Sequence, residues 1–212
     1  GFMHQGLLVH DREEKAKCYG WAGSYFYYRD SPEKHVRSYR SNTSIEGKES
    51  FKWLGPSLQS RDRVLEQAEH ALFVMDREAD IFEVMSRLPK VDTSDVLIRI
   101  QQNRRVKTLD GKSVKLYENI EQQPTIGIVK IKISGEDKKK KKRIAKLEVK
   151  ISSYYISRSN HIIEKSKYPK ELIMQVIQVK EHAETIPLGE KPIIWRLWTS
   201  EPIEGFDKAV EL

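Results

Sequence analysis

The sequence is poor in cysteine and lacks long apolar runs, and both shortages exclude classes of protein. Cys18 is the only cysteine among 212 residues, so the chain cannot form an internal disulfide framework or a cysteine-based zinc site. No apolar stretch approaches the roughly 20 residues that a membrane-spanning helix needs. We therefore expect a reducing, cytoplasmic setting and no membrane partner.

Positive charge is in excess over negative charge. The chain has 38 Lys and Arg against 31 Asp and Glu, a formal net charge of +7. Such a balance favours polyanionic partners, nucleic acid first and anionic membrane second. A lysine-rich, solvated surface with no polyanionic partner would have the same composition, so charge alone does not decide between them.

The first hundred residues alternate between strand-like and helix-like segments. "GLLVHD" and "YGWAGSYFYYR" predict two strands. "GKESFKWL" and "SLQSRDRVLEQAEHA" predict two helices. The apolar run "ALFVMD" leads into "READIFEVMSRL", which has apolar residues at helical spacing, and a further strand is predicted at 96–100. An apolar strand that runs into an amphipathic helix is typical of the βα unit of a buried sheet.

Strands and turns dominate the later part of the chain. "IGIVKIKIS", "IAKLEVKISS" and "ELIMQVIQVKE" predict strands, and the first two flank a very basic hairpin tip, "GEDKKKKKR". "KPIIWRLWTS" predicts a return strand that leads into a helix. We therefore predict an α/β protein in three parts: residues 1–100 form the first part of a core, 101–190 a mostly β insertion, and 191–212 the return strand and the start of a helix of that core.

Asp76 is the first candidate functional residue. It ends an apolar strand and opens a helix, so its carboxylate is expected at the carboxyl edge of a sheet, where ligand sites of open α/β sheets lie. A carboxylate in that place can hold Mg²⁺. Asp is also a favoured helix N-cap, and position alone favours capping over metal binding.

The residues around Asp76 resemble a known signature. "FVMDREADIFEVMSRL" is similar to the second-aspartate motif of DDE transposases of the IS-four group, the family of the Tn-five transposon enzyme. "GKESFKWL", "LIRIQQNRR" and "IIWRLWTSEPIEGFDKAVEL" resemble three further family segments in the same order and spacing. The resemblance spans nearly the whole chain, although the insertion matches in character more than in letters.

This resemblance implies a fold and a chemistry. The fold is an RNase H-like mixed sheet with flanking helices, interrupted by a mostly β insertion. In the family, two aspartates and a glutamate hold two Mg²⁺ or Mn²⁺ ions, which activate water or a 3′ hydroxyl for attack on a DNA phosphodiester. Asp76 matches the second acid. The family patterns around the first and third acids have no counterpart here, so we expect a fragment that is inactive alone.

The resemblance also assigns DNA contacts. Trp195 matches a tryptophan that stacks on a base flipped out near the transposon end. Trp198 lies at an odd spacing from it on the same strand, so we expect Trp198 on the opposite face, in the core. Among the basic candidates after the Asp76 helix, Arg99 and Arg104 lie in the stretch that resembles family DNA contacts. The other basic candidates are suggested by their charge: Arg105 and the hairpin residues Lys138, Lys139, Lys140, Lys141, Lys142 and Arg143. For the hairpin, a merely solvated charge run is the alternative.

The leading hypothesis is a cut-and-paste DNA transposase that cleaves and transfers strands with divalent metal ions. Its expected partners are double-stranded transposon ends, bound by a homodimer, in a bacterial cytoplasm. Two alternatives stay open: a non-catalytic nucleic-acid-binding module, and the remnant of a decayed transposon. The intact Asp-Arg-Glu-Ala-Asp string argues against the first alternative, because a pure binding module needs no acid at a sheet edge.

Overall fold

The computed structural model describes residues 2–13, 17–28, 43–134 and 142–212. The chain forms two compact units, the first made of Gly1–Val96 with Arg158–Leu172 and the second of Leu97–Ser157 with Ile173–Leu212. Both contain strands and short helices, so the predicted α/β class is confirmed, with mostly β structure. Within the described ranges, no helix is long and apolar enough to cross a membrane.

The first unit begins with an antiparallel hairpin covered by a helix. Its regular elements are β1 (Phe2–His10), β2 (Cys18–Tyr28), α1 (Phe51–Leu65), β3 (Ala71–Met75), α2 (Phe82–Arg87) and the start of β4 (Ser94–Arg99). Two β-bulges shift the β1–β2 register, between Leu7 and Leu8 and between Val9 and His10. Both predicted hairpin strands are confirmed.

Helix α1 approaches the hairpin closely because small residues face each other. A Cβ atom at Gly23 would collide with the Ser60 hydroxyl, and that hydroxyl donates a hydrogen bond to the Ala22 carbonyl oxygen (3.1 Å). The two helices predicted here are one helix that continues through Pro56. Pro56 lacks an N–H group, so the helix loses one backbone hydrogen bond there but does not end.

The segment after β3 contains a break that the helical pattern does not predict. A short 3-10 helix covers Arg77–Ala79, and α2 begins only at Phe82. Between them, Ile81 has an extended backbone (φ −127°, ψ 133°). The apolar periodicity is nevertheless used, because α2 buries Phe82, Val84 and Met85.

The second unit is a largely antiparallel sheet. Its elements are the end of β4, β5 (Arg105–Lys107), β6 (Ser113–Lys115), α3 (Leu116–Glu121), β7 (Gly127–Ile133), β8 (Arg143–Ser157), most of β9 (Glu171–Glu181), β10 (Ile194–Thr199) and α4 (Phe206–Glu211). The strand order is β4-β10-β9-β8-β5-β6, and β7 pairs with β8. Its core includes Leu147, Tyr154, Val176 and Trp198.

These units and the predicted domains have different boundaries. The predicted boundary at residue 100 lies near the observed one after Val96. The return segment, 191–212, belongs to the second unit together with most of the predicted insertion, because β10 pairs along its whole length with β9. Arg158–Leu172 belongs to the first unit.

Candidate functional site

Asp76 lies where the chain leaves β3. The preceding Met75 and the following Ala79 are buried, whereas Asp76 itself is exposed. Its backbone is extended (φ −73°, ψ 172°), and its carbonyl oxygen accepts a hydrogen bond from the Ala79 N–H group (2.9 Å). Its carboxylate makes no capping hydrogen bond. The capping role that position alone favoured is therefore not the one observed.

The Asp76 carboxylate is available for a ligand. Within the part of the chain that the structure describes, it has neither a hydrogen bond nor an ion pair. The neighbouring Arg77 is exposed as well. The Asp-Arg pair at the start of the motif thus presents one anionic and one cationic group to the surroundings.

The next acid of the motif, Glu78, is engaged by Lys52 of α1. The Lys52 ammonium lies 2.7 Å from a Glu78 carboxylate oxygen, and only 8% of the lysine side chain is exposed. It also lies 3.4 Å from the Tyr27 hydroxyl and 3.5 Å from Glu49. Burial lowers the pKa of Lys52, but hydrogen bonds with Glu78 and Tyr27 outweigh that effect and raise it above its ordinary value.

This ion pair joins two segments that carry the family resemblance, "GKESFKWL" and "DREADI". Sequence reasoning assigned no role to Lys52. The available signal was that Lys52 lies among apolar and small residues of α1. Three of these residues, Leu54, Gly55 and Ser57, are buried with it. A buried lysine needs a partner, but its position in sequence does not indicate which one.

The acids of the motif that the structure describes do not form a complete metal centre. Asp80 is 6% exposed and makes contacts within the protein, and Glu78 is paired with Lys52. Among residues 2–13, 17–28, 43–134 and 142–212, no three His, Cys, Asp or Glu side chains form a group that could hold a metal ion. The exposed Asp76 carboxylate is a group of the kind that Mg²⁺ and Mn²⁺ bind.

In the second unit, Arg99 and Trp195 share one face of the sheet. Arg99 pairs with Leu197 across the β4–β10 ladder. Trp195 lies two residues before Leu197 on β10, so its side chain points to the same face as Arg99. Both are exposed, Trp195 to 43%. The register therefore brings a cation and an aromatic ring together, as a surface that binds phosphate and base requires.

Trp198 occupies the opposite face and is fully buried. It pairs with Ile98 on β4 and with Val176 on β9, both of which are also fully buried. The expectation that Trp198 packs in the core is confirmed. The base-stacking role of Trp195 stays a prediction, although its exposure is compatible with that role.

Arg104 and Arg105 differ in exposure. Arg104 is half-buried and makes contacts within the protein, and its carbonyl oxygen accepts a hydrogen bond from the Leu116 N–H group (3.1 Å). Arg105 is exposed at the start of β5, directly opposite the exposed Lys115 of β6. Like charges opposite each other destabilise a strand pair, so an anion bound there would relieve the repulsion.

The basic hairpin is described only at its C-terminal side. Lys138, Lys139, Lys140 and Lys141 lie outside the described residues, and Lys142 is exposed. Arg143 is 9% exposed and lies 2.7 Å from Glu181 and 2.8 Å from Glu190. The hydrogen bond with Glu181 raises the pKa of Arg143 above its ordinary value. Two carboxylates already compensate this charge, which favours a structural role for Arg143 over phosphate contact.

The predicted site residues are divided between the two units. Asp76 belongs to the first, whereas Arg99, Arg104, Arg105 and Trp195 belong to the second. No protein-family model matches the chain.

Proposed function

We propose that this chain is a central portion of a DDE-type DNA transposase, an RNase H-like core with a β-rich insertion. The observation that carries the proposal is the state of Asp76. It is an exposed carboxylate at the end of a strand, and it neither caps a helix nor pairs with a described residue. Of the later acids in the same motif, Glu78 and Asp80 are in contact with other parts of the protein, and Glu83 is buried.

Each residue then has a definite task. Asp76 would supply a carboxylate oxygen to a divalent ion. The Lys52–Glu78 ion pair fixes the 3-10 turn that directly follows Asp76. Two Mg²⁺ or Mn²⁺ ions, when bound, activate the attacking hydroxyl and stabilise the leaving oxygen at a DNA phosphodiester. Arg99 neutralises a backbone phosphate, and Trp195 stacks on a base extruded from the duplex.

The proposed substrates and assembly follow the family resemblance. The substrates are double-stranded transposon ends, the active assembly is a homodimer that pairs two such ends, and the setting is a bacterial cytoplasm. The net charge of +7 supports a polyanionic partner.

A second candidate function is non-catalytic nucleic-acid binding. It is favoured because Asp76 is the one exposed acid of the motif without a partner among the described residues, and because Arg99 and Trp195 share an exposed face. Under this alternative, Asp76 has no effect on any reaction.

Metal-dependent cleavage distinguishes the two functions. The substrate is duplex DNA with a transposon end, and the protein is this chain extended to include the two further acids that the resemblance implies. We expect Asp76→Asn to reduce Mg²⁺- or Mn²⁺-dependent nicking by about three orders of magnitude or more, since a lost metal ligand removes the main source of charge stabilisation. Duplex binding should remain within about twofold, because phosphate contacts provide most of the affinity.

The matched control is Asp62→Asn, which removes the same charge from an exposed aspartate on α1. It should leave both nicking and binding unchanged. Cleavage that survives Asp76→Asn would contradict the proposed role of Asp76 and favour the binding module or a different active site.

A further inference from the structure

One face of the β1–β2 hairpin presents exposed aromatic rings. Trp21 and Phe26 are 67% and 70% exposed. His4 lies between them: its ring is stacked on Phe26 (centroids 4.5 Å apart, interplanar angle 22°) and lies 5.8 Å from the ring of Trp21. Three rings thus form a continuous row on the surface of the first unit.

Gly6 gives the Trp21 ring its position in this row. A Cβ atom built at Gly6 would overlap the six-membered ring of Trp21, so the indole lies directly over the backbone of β1. Gly6 pairs with Ser24, and the bulge after Leu7 lets Leu8 pair with Trp21. The ring therefore rests against the hairpin and borders the space beside it.

A pocket of about 450 Å³ opens beside this row, between the hairpin and α1. Its walls include His4, Trp21 and Ser24 from the strands, and Gln59, Ser60 and Arg63 from the helix. No acidic residue lines it. Arg63 is exposed and has no ion pair with any described residue. A ligand in this pocket meets an aromatic wall, neutral hydrogen-bonding groups and one uncompensated positive charge.

We propose that this pocket binds one unpaired nucleotide of single-stranded DNA. The base stacks against Trp21 and His4, Gln59 and Ser24 donate or accept hydrogen bonds at the base or sugar, and Arg63 binds the adjacent phosphate. Aromatic rings combined with a nearby cation are the usual means of binding single strands. The preference for DNA over other planar anions rests on the proposed function.

The lining favours a nucleotide as the occupant. The pocket combines the cation Arg63 with Gln59 and two serines around a single indole and has no acidic residue, a set that complements a base with its phosphate. Asp76, Arg99 and Trp195 are not among the residues that line the pocket. It therefore adds a strand contact that the proposed transposase chemistry does not itself require.

The test measures binding of a fluorescein-labelled thymidine oligomer of about ten nucleotides to this chain, in EDTA so that no metal-dependent step contributes. A strand of equal length with abasic residues is the second probe. We expect Trp21→Leu to weaken thymidine-oligomer binding about tenfold, because leucine keeps apolar bulk but has no ring on which a base can stack. Trp21→Tyr should restore affinity to within about threefold. Binding of the abasic strand should not depend on residue 21.

Arg63→Ala tests the phosphate contact. It should lower the slope of log affinity against log salt by about 0.7 with either strand, the value for one phosphate of a single strand. Lys90→Ala, which removes an exposed charge of the same unit outside the pocket, should change the slope less. Thermal unfolding of each variant checks that the fold is retained.

Two results would overturn the proposal. One is thymidine-oligomer affinity that stays within about twofold in both Trp21→Leu and Arg63→Ala. The other is concentration-dependent self-association in sedimentation that Trp21→Leu weakens, while the same substitution leaves the affinity for the thymidine oligomer unchanged. That result would identify the face as a protein interface. Neither result bears on cleavage by Asp76, and loss of cleavage in Asp76→Asn has no bearing on this pocket.

Discussion

The Lys52–Glu78 ion pair offers a direct test of how the motif segment is held against α1. Glu78→Gln removes the negative charge but keeps the shape of the side chain. The Lys52 ammonium, 8% exposed, would then retain the more distant Glu49 and the Tyr27 hydroxyl. The ammonium would also keep its cation–π contacts with Tyr27 and Trp53, whose ring centroids lie 5.5 and 5.7 Å from it.

The magnitude follows from the exposure of the two partners. Removing one partner of a fully buried ion pair costs about 3–5 kcal/mol, whereas exposed pairs contribute about 0–1 kcal/mol. The side chain of Glu78 is 57% exposed, whereas that of Lys52 is buried. Lys52 also keeps other partners when Glu78 is replaced. We therefore expect Glu78→Gln to lower the free energy of unfolding by about 1–2 kcal/mol, measured by urea denaturation.

A double-mutant cycle separates the ion pair from other effects. Lys52→Met removes the buried charge together with its need for a partner. In the Lys52→Met background, Glu78→Gln should have almost no further effect. Asp110→Asn, which breaks the exposed Lys112–Asp110 pair, is the control and should change stability less. Equal effects of Glu78→Gln with Lys52 present and absent would refute the argument that this pair holds the motif.

The same pair predicts a pH dependence at alkaline pH. The pKa of Lys52 is raised in the folded state. The stability that it contributes is therefore fully present below its unfolded value of about 10.4 and is lost as the pH rises through the folded value. In Lys52→Met that contribution should be absent, so the variant should lose less stability than the parent protein above about pH 10. Urea denaturation at several alkaline pH values measures the difference.

Three further predictions concern the second unit. Arg99→Ala should reduce the salt-dependence slope for duplex DNA by about 0.9, and an unchanged slope would remove Arg99 from the DNA surface. Trp195→Ala should abolish the quenching of a fluorescent base analogue at the extruded position, whereas Trp195→Phe should preserve part of it. Glu181→Gln should cost about 2–3 kcal/mol in urea denaturation, because Glu181 is fully buried beside Arg143, which keeps Glu190 as a second partner. The hydrogen bond with Arg143 is the main reason why the pKa of Glu181 lies below its ordinary value. The stability that the ionised Glu181 contributes is therefore present above its unfolded pKa of about 4.3 and is lost as the pH falls through the folded pKa.

Strand positions were the most predictable part of the fold. "ELIMQVIQVKE" predicts a strand, and β9 covers Glu171–Glu181. The opposite faces of Trp195 and Trp198 follow from the alternation of side chains along β10, and their exposure agrees. Alternation is a local property of the sequence, so no knowledge of the partner strand is needed.

The elements that the sequence did not predict depend on distant partners. Strands β5 and β6 have three residues each, too few for a recognisable alternation. They exist because they pair with each other and because Lys107 pairs with Tyr155 of β8. The ion pairs of Lys52 and Arg143 likewise join segments far apart in sequence. Composition indicates that a buried charge needs a partner, but only the fold brings the two together.

The six residues Asp-Arg-Glu-Ala-Asp-Ile include some whose surroundings packing explains and one, Asp76, for which it does not. Glu78 pairs with Lys52, Ala79 is fully buried, and Asp80 is buried with contacts of its own. Packing therefore accounts for the second half of Asp-Arg-Glu-Ala-Asp-Ile without any reaction. It does not account for Asp76, whose exposed carboxylate has no hydrogen bond or ion pair within the described part of the chain. Our proposal assigns it a ligand outside the protein: in a chain of net charge +7, an exposed carboxylate at the end of β3 would hold a divalent cation that is bound together with nucleic acid phosphate.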